Sequence, residues 1–270
     1  MTTARDVLKY VWTHPANQRK RLRGAMRAAA YQVRARLGHR TMATLGDNAR
    51  MWVDLHFTSA ASVVYANPPD WNEMQAWKKW LRPGDLFVDV GANVGVYSLW
   101  AAQLGAKVYS LEPSPEAFDK LEENVALNDF AVKPMQYALA DRPGKMLISK
   151  GQGTVNHLLR DPNAGGEEVL VDTLDNVLGD QRAAGVKIDV EGAERLVLEG
   201  AQNALAEHRI RLLQLEWNRR SEIHYGETRQ PVQRLLSKYG YQFLRPDRYG
   251  VLHPTDPSEM STEDIFALAP

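Results

Sequence analysis

Residues 87–95 combine an acidic residue and two glycines at the end of an apolar run. The segment FVDVGANVG places Gly91 and Gly95 directly after the apolar residues of 86–90, and a segment with helical spacing follows. Glycine lets the backbone turn tightly and approach a ligand closely, because no Cβ obstructs it. The arrangement predicts a ligand-binding turn between a strand and a helix, with the ligand outside the carboxyl end of a sheet.

This turn departs from the pattern that binds dinucleotides. A pyrophosphate turn needs G-x-G-x-x-G, whereas Asn93 and Val96 occupy the second and third glycine positions here. Asp89 would repel a pyrophosphate and suits a positively charged ligand, although it could instead cap the following helix. Glu112, 23 residues after Asp89, can accept hydrogen bonds from both ribose hydroxyls. Together these residues favour S-adenosylmethionine, a nucleoside with a cation and no pyrophosphate, over NAD.

A second set of polar residues lies where two later apolar runs end. Asp189 is at the end of residues 185–190, and Glu216 and Asn218 are at the end of residues 210–217. Since neighbouring parallel strands end at one edge of a sheet, these side chains should meet beside the cofactor. Two carboxylates and an amide oxygen suit Mg²⁺ or Mn²⁺, which would lower the pKa of an acceptor hydroxyl.

A general base is the alternative to a metal ion at this site. Methyl transfer needs the acceptor oxygen in line with the methyl carbon and the sulfur, and the oxygen must lose its proton. Asp189, Glu191, His224 or His157 could accept that proton. Glu191 could equally be an acid that favours a helix start, and most of the seven histidines are expected on the surface. The sequence does not decide whether a metal ion or a general base activates the acceptor hydroxyl.

Strands and helices that position these residues alternate from residue 85 onward. Strands are predicted at 86–90, 107–111, 132–138, 145–148, 169–171, 185–190, 210–217, 241–244 and 265–268. Helices are predicted at 71–81, 97–103, 115–128, 174–178, 191–207 and 229–239, and short strands within 49–65. Apolar strands that alternate with helices predict a parallel sheet covered on both faces.

The composition excludes several protein classes. The chain is 44% apolar and 24% charged, as an ordinary globular protein is, and it has no cysteine for disulfide or thiolate chemistry. No segment has the apolar length of a membrane span, and the N-terminus lacks the pattern of a secretory signal. A cytoplasmic location is therefore expected.

The net charge of zero is the sum of two opposite parts. Residues 1–40 hold ten bases and one acid, a charge of +9, whereas the remainder holds 23 bases and 32 acids, a charge of −9. This basic segment is predicted to be helical with a break at Pro15. It could pack on an acidic body, bind an anionic membrane or acidic polymer, or bind nucleic acid. We expect packing with formation of a homodimer, no nucleic-acid partner and no stable membrane insertion.

Six segments follow the motif order of one known family. They are FVDVGANVGVYSLWAA (87–102), LEPSPEAFDKLEENVALN (111–128), ALAD (138–141), VDTLD (171–175), KIDVEGAERLVLEGA (187–201) and LLQLEW (212–217). Over about residues 85–220, the chain thereby resembles the FkbM-type S-adenosylmethionine-dependent methyltransferases. KIDVEGAE is the most distinctive segment, whereas the glycine turn is shared by many methyltransferases.

The resemblance implies an α/β fold of the class I methyltransferase (Rossmann-like) type. Its seven-stranded sheet would be mostly parallel, with one antiparallel strand near the C-terminus and helices on both faces. The charge and helical pattern, and not the resemblance, divide the chain into a basic helical arm at residues 1–48 and the methyltransferase domain at 49–270, with the cofactor-binding core at 85–220. The implied reaction is O-methylation of a saccharide or glycosylated small molecule. A non-catalytic cofactor-binding protein whose arm recruits an acidic partner is the alternative.

The resemblance also assigns roles to individual residues. The methionine part of the cofactor would be surrounded by Asp89, Gly91, Asn93 and Gly95. Glu112 would hold the ribose. Ala140 and Asp141 would border the adenine, although Asp-Arg-Pro-Gly is also good turn chemistry. Residues 151–166 are a candidate acceptor loop, because flexible residues interrupt the alternation there. Aromatic residues that could stack on a sugar are Trp71, Trp77, Trp80, Trp217, Tyr225 and Tyr249, the first three being more typical of helix packing.

Overall fold

A mixed eight-stranded sheet forms the centre of the computed structural model, which describes residues 3–149, 157–159, 165–258 and 264–270. The strands are β1 (Thr41–Leu45), β2 (Ala49–Val53), β3 (Leu86–Val90), β4 (Lys107–Leu111), β5 (Val132–Met135), β6 (Ala138–Leu139), β7 (Gly144–Ile148), β8 (Leu158–Leu159), β9 (Glu167–Asp172), β10 (Gly185–Ile188), β11 (Leu212–Leu215), β12 (Gln242–Pro246), β13 (Leu252–Pro254) and β14 (Ile265–Leu268). The helices are α1 (Ala4–Thr13), α2 (Arg21–Arg36), α3 (Thr58–Tyr65), α4 (Trp71–Trp80), α5 (Val96–Gln103), α6 (Pro115–Ala126), α7 (Leu174–Leu178), α8 (Glu194–Glu199), α9 (Gln202–Ala206), α10 (Arg220–Tyr225) and α11 (Gln230–Lys238).

The strand order of the large sheet is β13-β12-β14-β11-β10-β3-β4-β5. Strands β11, β10, β3, β4 and β5 are parallel, and β14 is antiparallel to both β11 and β12. The predicted α/β fold, with an antiparallel strand near the C-terminus, is confirmed. The predicted count of seven strands was one too low, because β13 adds an antiparallel edge to β12. A separate sheet of order β6-β9-β7-β8 contains the strands predicted at 145–148 and 169–171.

Strand β3 is buried on both faces of the sheet. Phe87 belongs to one apolar cluster with Trp77 of α4, whereas Val88 belongs to another cluster with Val197 of α8. Since successive side chains of a strand point to opposite faces, helices cover both faces of the sheet, as predicted.

Parallel register brings the functional strand ends to one edge. Lys187 of β10 is paired with Asp89 of β3 on one side and with Gln214 of β11 on the other. The residues that follow these strands, which include Gly91, Asp189 and Glu216, therefore emerge side by side.

Two predictions of local structure were wrong. Residues 58–65 form helix α3 instead of a strand, with Ala60, Ala61 and Val64 buried. The helix predicted at 191–207 is divided into α8 and α9. The Asp175 carboxylate accepts hydrogen bonds from the backbone N–H groups of Asn203 and Ala204, at 3.0 and 2.8 Å, and so caps the start of a second helix.

The basic arm is helical, and a short turn at Pro15–Asn17 separates α1 from α2 as predicted. The arm packs on its own chain through buried Val7, Val11, Ala28 and Tyr31. The hydroxyl of Tyr10 donates to the carbonyl of Pro69 at 2.7 Å, and Arg27 Nε donates to the carbonyl of Val64 at 2.6 Å.

Charge attraction makes only a small part of this packing. Among the arm bases in the described residues, the ion pair to a body acid is Arg40 with Glu123, at 2.5 Å and on the surface. Apolar contacts and backbone carbonyls hold the arm instead, and the homodimer stays a prediction. None of the helices in the described ranges combines the length and apolar content that crossing a bilayer requires.

Candidate cofactor and catalytic site

The turn after β3 brings the backbone close to a neighbouring strand end. Gly91 has a φ of +79°, and a Cβ at this position would lie 1.9 Å from the carbonyl oxygen of Asp189. The N–H groups of Gly91 and Ala92 both donate to the carbonyl of Leu111 at 2.9 Å. Only glycine satisfies both the positive φ and this approach, so the turn fixes the spacing between β3 and β10.

Asn93 and Gly95 complete the turn. Asn93 has a φ of +51°, and its Oδ1 accepts hydrogen bonds from Ser59 Oγ at 3.2 Å and from the N–H of Val94 at 2.9 Å. Gly95 has a φ of +93° and packs on Leu121, where a Cβ would approach Cδ1 to 2.8 Å. Asparagine therefore replaces glycine at a position where its side chain stabilises the left-handed conformation.

Glu112 lies directly after β4 and faces the turn. Its two carboxylate oxygens accept the N–H of Asn93 at 2.8 Å and the N–H of Ser114 at 2.9 Å. Burial raises the pKa of Glu112 to about 7, against the opposing effect of these two donors. Each oxygen keeps a further lone pair, so the carboxylate can still accept from a pair of hydroxyls.

Asp89 is buried in β3, and only one of its two carboxylate oxygens accepts a hydrogen bond in the described structure. Its Oδ2 accepts a 2.6 Å hydrogen bond from Ser98 Oγ, and its Oδ1 is buried without a hydrogen-bond partner in the described structure. Burial raises the pKa of Asp89, while Lys187 lowers it. An unsatisfied buried carboxylate oxygen is costly unless a ligand donates to it.

Two adjoining cavities surround these residues. The first cavity, about 230 Å³, is lined by residues that include Gly91, Glu112, Leu139, His157, Asp189 and Arg220. The second cavity, about 530 Å³, is lined by residues that include Asp6, Tyr10, Asp70, Asp89, Tyr97 and Lys187. Both cavities share Ser59, Gly91, Asn93 and Asp189. The glycine turn and Asp189 thus separate two compartments of one site.

Three carboxylates converge at the ends of β10 and β11. Asp189, Glu191 and Glu216 each offer an oxygen, and these oxygens lie within 4.8 Å of one another. Glu191 has a φ of +57°, which turns the chain sharply after β10. This carboxylate cluster confirms that the two strand ends meet, as the parallel register requires.

Two cations compensate the carboxylate cluster. Lys187 Nζ donates to Asp189 Oδ2 at 2.7 Å, and the side chain of Lys187 is 4% exposed. The guanidinium of Arg220 forms an ion pair with Glu191, and its Nε lies 3.4 Å from Glu216 Oε1. Arg220 was not anticipated from the sequence, although its i,i+4 spacing from Glu216 was visible there.

The two glutamates of the cluster, Glu191 and Glu216, have raised pKa values. Burial and the charge of Asp189 raise the pKa of Glu191 to about 8, although Arg220 opposes the shift. Burial, together with Asp189 and Glu191, raises the pKa of Glu216 to about 9. Glu216 Oε2 is buried without a hydrogen-bond partner in the described structure. Groups with such raised pKa values beside a ligand cavity are candidates for proton transfer.

Comparison with known proteins gives a family for this arrangement. The Methyltransferase FkbM domain matches residues 89–243, which is more than half of the chain and includes every residue of the carboxylate cluster. The chain belongs to the FkbM methyltransferase family. The resemblance carried by the six sequence segments is thereby confirmed.

The chain matches only part of the length of each relative, 62% in both of the following two cases. The chain is 29% identical over 162 residues to the hexuronic acid methyltransferase AglP of Haloferax volcanii, across 57% of this chain and 62% of the relative. It is 30% identical over 161 residues to the 31-O-demethyl-FK506 methyltransferase FkbM of Streptomyces tacrolimicus, across 46% and 62%. A crystal structure of methyltransferase FkbM from Methylobacillus flagellatus is 16% identical, with a TM-score of 0.47 over 92% of this chain and 60% of that one.

The two residues predicted to border adenine lie outside the lining of the first cavity, and their role stays a prediction. Ala140 is buried and Asp141 is exposed, 4.0 Å from Arg142, and neither lines the first cavity. Ala138 and Leu139 of β6 do line this cavity, as does the preceding Tyr137. Strand β5 ends at Met135, earlier than the predicted 138.

Asn218 does not direct its oxygen at the carboxylate cluster. Its Nδ2 donates to Glu216 Oε1 at 2.6 Å, whereas its Oδ1 accepts the N–H of Arg220 at 2.9 Å. The guanidinium of Arg229 lies 3.5 Å from the same oxygen. Glu191 joins Asp189 and Glu216 in the group of acidic residues that could hold a metal ion, and the role of Asn218 as a ligand stays a prediction.

The two candidate histidines stack on each other. The rings of His157 and His224 are 3.8 Å apart at an interplanar angle of 25°, and His157 lines the first cavity while His224 does not. Burial lowers the pKa of His224, and His157 and Arg220 lower it further. Neither histidine is part of the carboxylate cluster.

Two further predictions concern an acceptor loop at residues 151–166 and aromatic residues that could stack on a sugar. Most of residues 151–166 lie outside the described residues. Trp77 is fully buried, as expected of helix packing, and Trp80 Nε1 donates to the carbonyl of Ala184 at 2.8 Å. Trp217 is buried and donates to the carbonyl of Pro257 at 3.0 Å. None of these three indoles lines either cavity.

Proposed function

We propose that the chain is an S-adenosylmethionine-dependent O-methyltransferase that acts on a hydroxyl of a saccharide or glycosylated small molecule. The observation that carries the proposal is the approach of Gly91 to Asp189, which joins the cofactor turn to the carboxylate cluster. The name of one relative, a hexuronic acid methyltransferase, supports a sugar acceptor, and the name of another, a 31-O-demethyl-FK506 methyltransferase, supports methylation of an oxygen.

The residues of the first cavity suit the nucleoside part of the cofactor. Glu112 keeps free lone pairs for two ribose hydroxyls, and Ala138 and Leu139 offer an apolar wall for a base. The unsatisfied Oδ1 of Asp89, in the wall of the second cavity, suits the ammonium group of the methionine part. When bound, the cofactor supplies a methyl group on a positively charged sulfur.

Glu216 is the proposed proton acceptor for the acceptor hydroxyl. Its Oε2 is unpaired, and its raised pKa makes it a stronger base than an ordinary carboxylate once it is ionised. Arg220 balances the charge that develops when the proton arrives or leaves, and Lys187 holds Asp189 in position. The chain thus provides the base and its counter-ions from its own residues.

A divalent cation is the alternative means of activation. The oxygens of Asp189, Glu191 and Glu216 are close enough to bind one ion, and such oxygen ligands suit Mg²⁺ or Mn²⁺. Arg220 already contacts Glu191 and Glu216 of this cluster, and its guanidinium would have to withdraw for an ion to enter. The position of Arg220 therefore favours the base over the metal ion.

Methyl uptake from radiolabelled S-adenosylmethionine tests both parts of the proposal. Uronic acids, neutral sugars and glycosylated small molecules are offered with and without EDTA, and label in a base-stable ether identifies O-methylation. We expect uptake that survives chelation. Loss of uptake with EDTA and recovery with Mg²⁺ would assign activation to a metal ion. Calorimetric binding of NAD but not of S-adenosylmethionine or S-adenosylhomocysteine would refute the whole proposal, and cofactor binding without uptake by any acceptor would favour the non-catalytic alternative.

A further inference from the structure

Exposed apolar side chains are concentrated on the outer face of the arm. Of the eleven large hydrophobic residues that are exposed in the described structure, six lie between residues 8 and 37. They are Leu8, Trp12, Leu22, Met26, Val33 and Leu37, with 42–70% of each residue exposed. We call this set the arm face. Such a concentration marks an interaction surface, whereas single exposed apolar residues are ordinary.

Helix α2 has two apolar sides, and only one of them packs on the body. Leu22, Met26, Val33 and Leu37 recur at intervals of four, seven and four residues, which places them in one stripe along the helix. The buried positions Gly24, Ala28 and Tyr31 lie on the opposite side. The body therefore accounts for one stripe and leaves the other uncovered.

Helix α1 extends the arm face. Leu8 and Trp12 are four residues apart and exposed, while Val7 and Val11 of the same helix are buried. The guanidinium of Arg21 lies 5.8 Å from the ring centroid of Trp12, so the start of α2 is next to the exposed side of α1. The exposed side of α1 therefore adjoins α2 where α2 begins.

Basic residues border this apolar stripe. Helical spacing places Arg23 and Arg34 along one side of the stripe and Arg36 along the other. In the described part of the chain, no acid lies within 4.0 Å of these three guanidinium groups or of Arg19 and Lys20. The charge of the arm is thus available to an external partner.

We propose that the arm face docks on an anionic lipid bilayer surface. Leucine, methionine, valine and tryptophan side chains would enter the boundary between headgroups and acyl chains, while the arginines contact lipid phosphates. A second copy of the chain is a poorer occupant, because pairing two arm faces would bring two clusters of like charge together. The same helix α1 lines the second cavity with Asp6, Val7 and Tyr10, so docking would hold that cavity beside the bilayer.

Vesicle sedimentation of the full chain tests the proposal. The vesicles contain phosphatidylcholine alone or phosphatidylcholine mixed with phosphatidylglycerol. We expect the chain to sediment with the anionic vesicles and to be released from them by salt. It should not sediment with the neutral vesicles. Absence of sedimentation at low salt, or equal binding to both kinds of vesicle, would overturn the proposal.

Three variants separate the apolar and charged contributions. The triple variant Leu22→Gln, Met26→Gln, Leu37→Gln should lower vesicle affinity by about tenfold or more, since its apolar insertion is lost. The triple variant Arg23→Gln, Arg34→Gln, Arg36→Gln should lower it by about fivefold per arginine. The matched control Met42→Gln, Leu170→Gln, Val251→Gln changes exposed apolar residues elsewhere and should bind as the parent does.

Two further measurements distinguish lipid docking from misfolding and from dimerisation. All variants should keep the parent's melting temperature and S-adenosylmethionine affinity, because these residues lie outside the core and both cavities. Sedimentation equilibrium shows whether the parent dimerises without lipid. A dimer that the arm-face variant dissociates would overturn the proposal, since a second copy would then cover the face.

Discussion

Gly91 lies so close to Asp189 that a single added carbon would overlap the Asp189 carbonyl oxygen, at 1.9 Å. This contact links the turn after β3 to the strand that carries the first carboxylate of the cluster. The spacing between the glycine turn and the carboxylate cluster therefore depends on one position that has no side chain.

Replacement of Gly91 by alanine should abolish cofactor binding and destabilise the fold. Alanine at a φ of +79° is strained by about 1–3 kcal/mol, and the overlap with a backbone oxygen adds to this cost. Gly38→Ala is the matched control, because its φ is +78° and nothing lies within 4 Å of the added carbon. Thermal unfolding and calorimetry with S-adenosylmethionine compare the two variants. Equal losses in both would mean that φ alone, and not the contact with Asp189, restricts Gly91.

Glu112→Gln should weaken S-adenosylmethionine binding by about tenfold to a hundredfold, as loss of a charge-assisted hydrogen bond implies. The glutamine NH₂ group would also face an N–H donor from Asn93 or Ser114. Because the Glu112 pKa is about 7, cofactor affinity of the parent should rise as pH increases through this value. The variant should lack that rise. Calorimetry between pH 6 and 8 measures both effects, and exposed Glu116→Gln serves as control. A variant that keeps the parent's pH profile would contradict the assignment.

The positions of the glycine turn and of the carboxylates at the strand ends were predictable because they depend on local requirements. Gly91, Gly95 and Glu112 follow directly from the turn and the strand ends, and Asp189 and Glu216 follow from strand alternation. Each of these inferences needs only the neighbouring residues in sequence and the general geometry of parallel sheets. The predicted strand 210–217 was longer than β11, yet its end was placed well enough to bring Glu216 to the correct edge.

The remaining parts of the site depend on contacts between distant segments. Arg220 reaches the carboxylate cluster because it begins helix α10, shortly after β11 ends at Leu215, and the sequence pattern gave no signal for that short helix. Tyr10 reaches the second cavity because its hydroxyl binds the carbonyl of Pro69, 59 residues away. A lone tyrosine or arginine gives no such information before the chain is folded.

Glu216→Gln should remove methyl transfer while it stabilises the protein. Loss of a general base typically costs about 10²–10⁴-fold in rate. Because the pKa of Glu216 is raised to about 9 in the native state, the native protein holds this proton more tightly than the unfolded chain does. The free energy of unfolding is therefore highest below the ordinary value of 4.5 and decreases as pH rises from there towards about 9. Glutamine cannot ionise, so the variant should be more stable at pH 8 by about 1–3 kcal/mol.

Unfolding in urea at pH 5 and pH 8 measures this gain, which should be smaller at the lower pH. Glu222→Gln, which changes an acid paired with Arg219 on the adjacent helix, is the control for a general effect of charge. If Glu216→Gln retains full methyl transfer, another group accepts the proton. If its stability has the parent's pH dependence, the Glu216 pKa is not raised.

Lys187→Met should destabilise the protein and displace Asp189. Lys187 is buried, its Nζ donates to Asp189 at 2.7 Å, and it lies 4.5 Å from the centroid of the Tyr97 ring. Burial alone would lower its pKa, yet the charges of Asp189 and Asp89 raise it, so the lysine is the cation that balances these acids. Removing one partner of a buried ion pair costs about 3–5 kcal/mol.

The pH dependence distinguishes lost charge balance from lost packing. In Lys187→Met, the uncompensated acids have raised native-state pKa values, so the deficit should be small near pH 4, where they are protonated, and should grow as pH rises. Lys187→Arg keeps the charge and should restore most of the stability at neutral pH. Urea unfolding across this range, with cofactor affinity measured in parallel, checks both expectations. A deficit that is the same at every pH would show that Lys187 acts through the packing of its side chain and not through its charge.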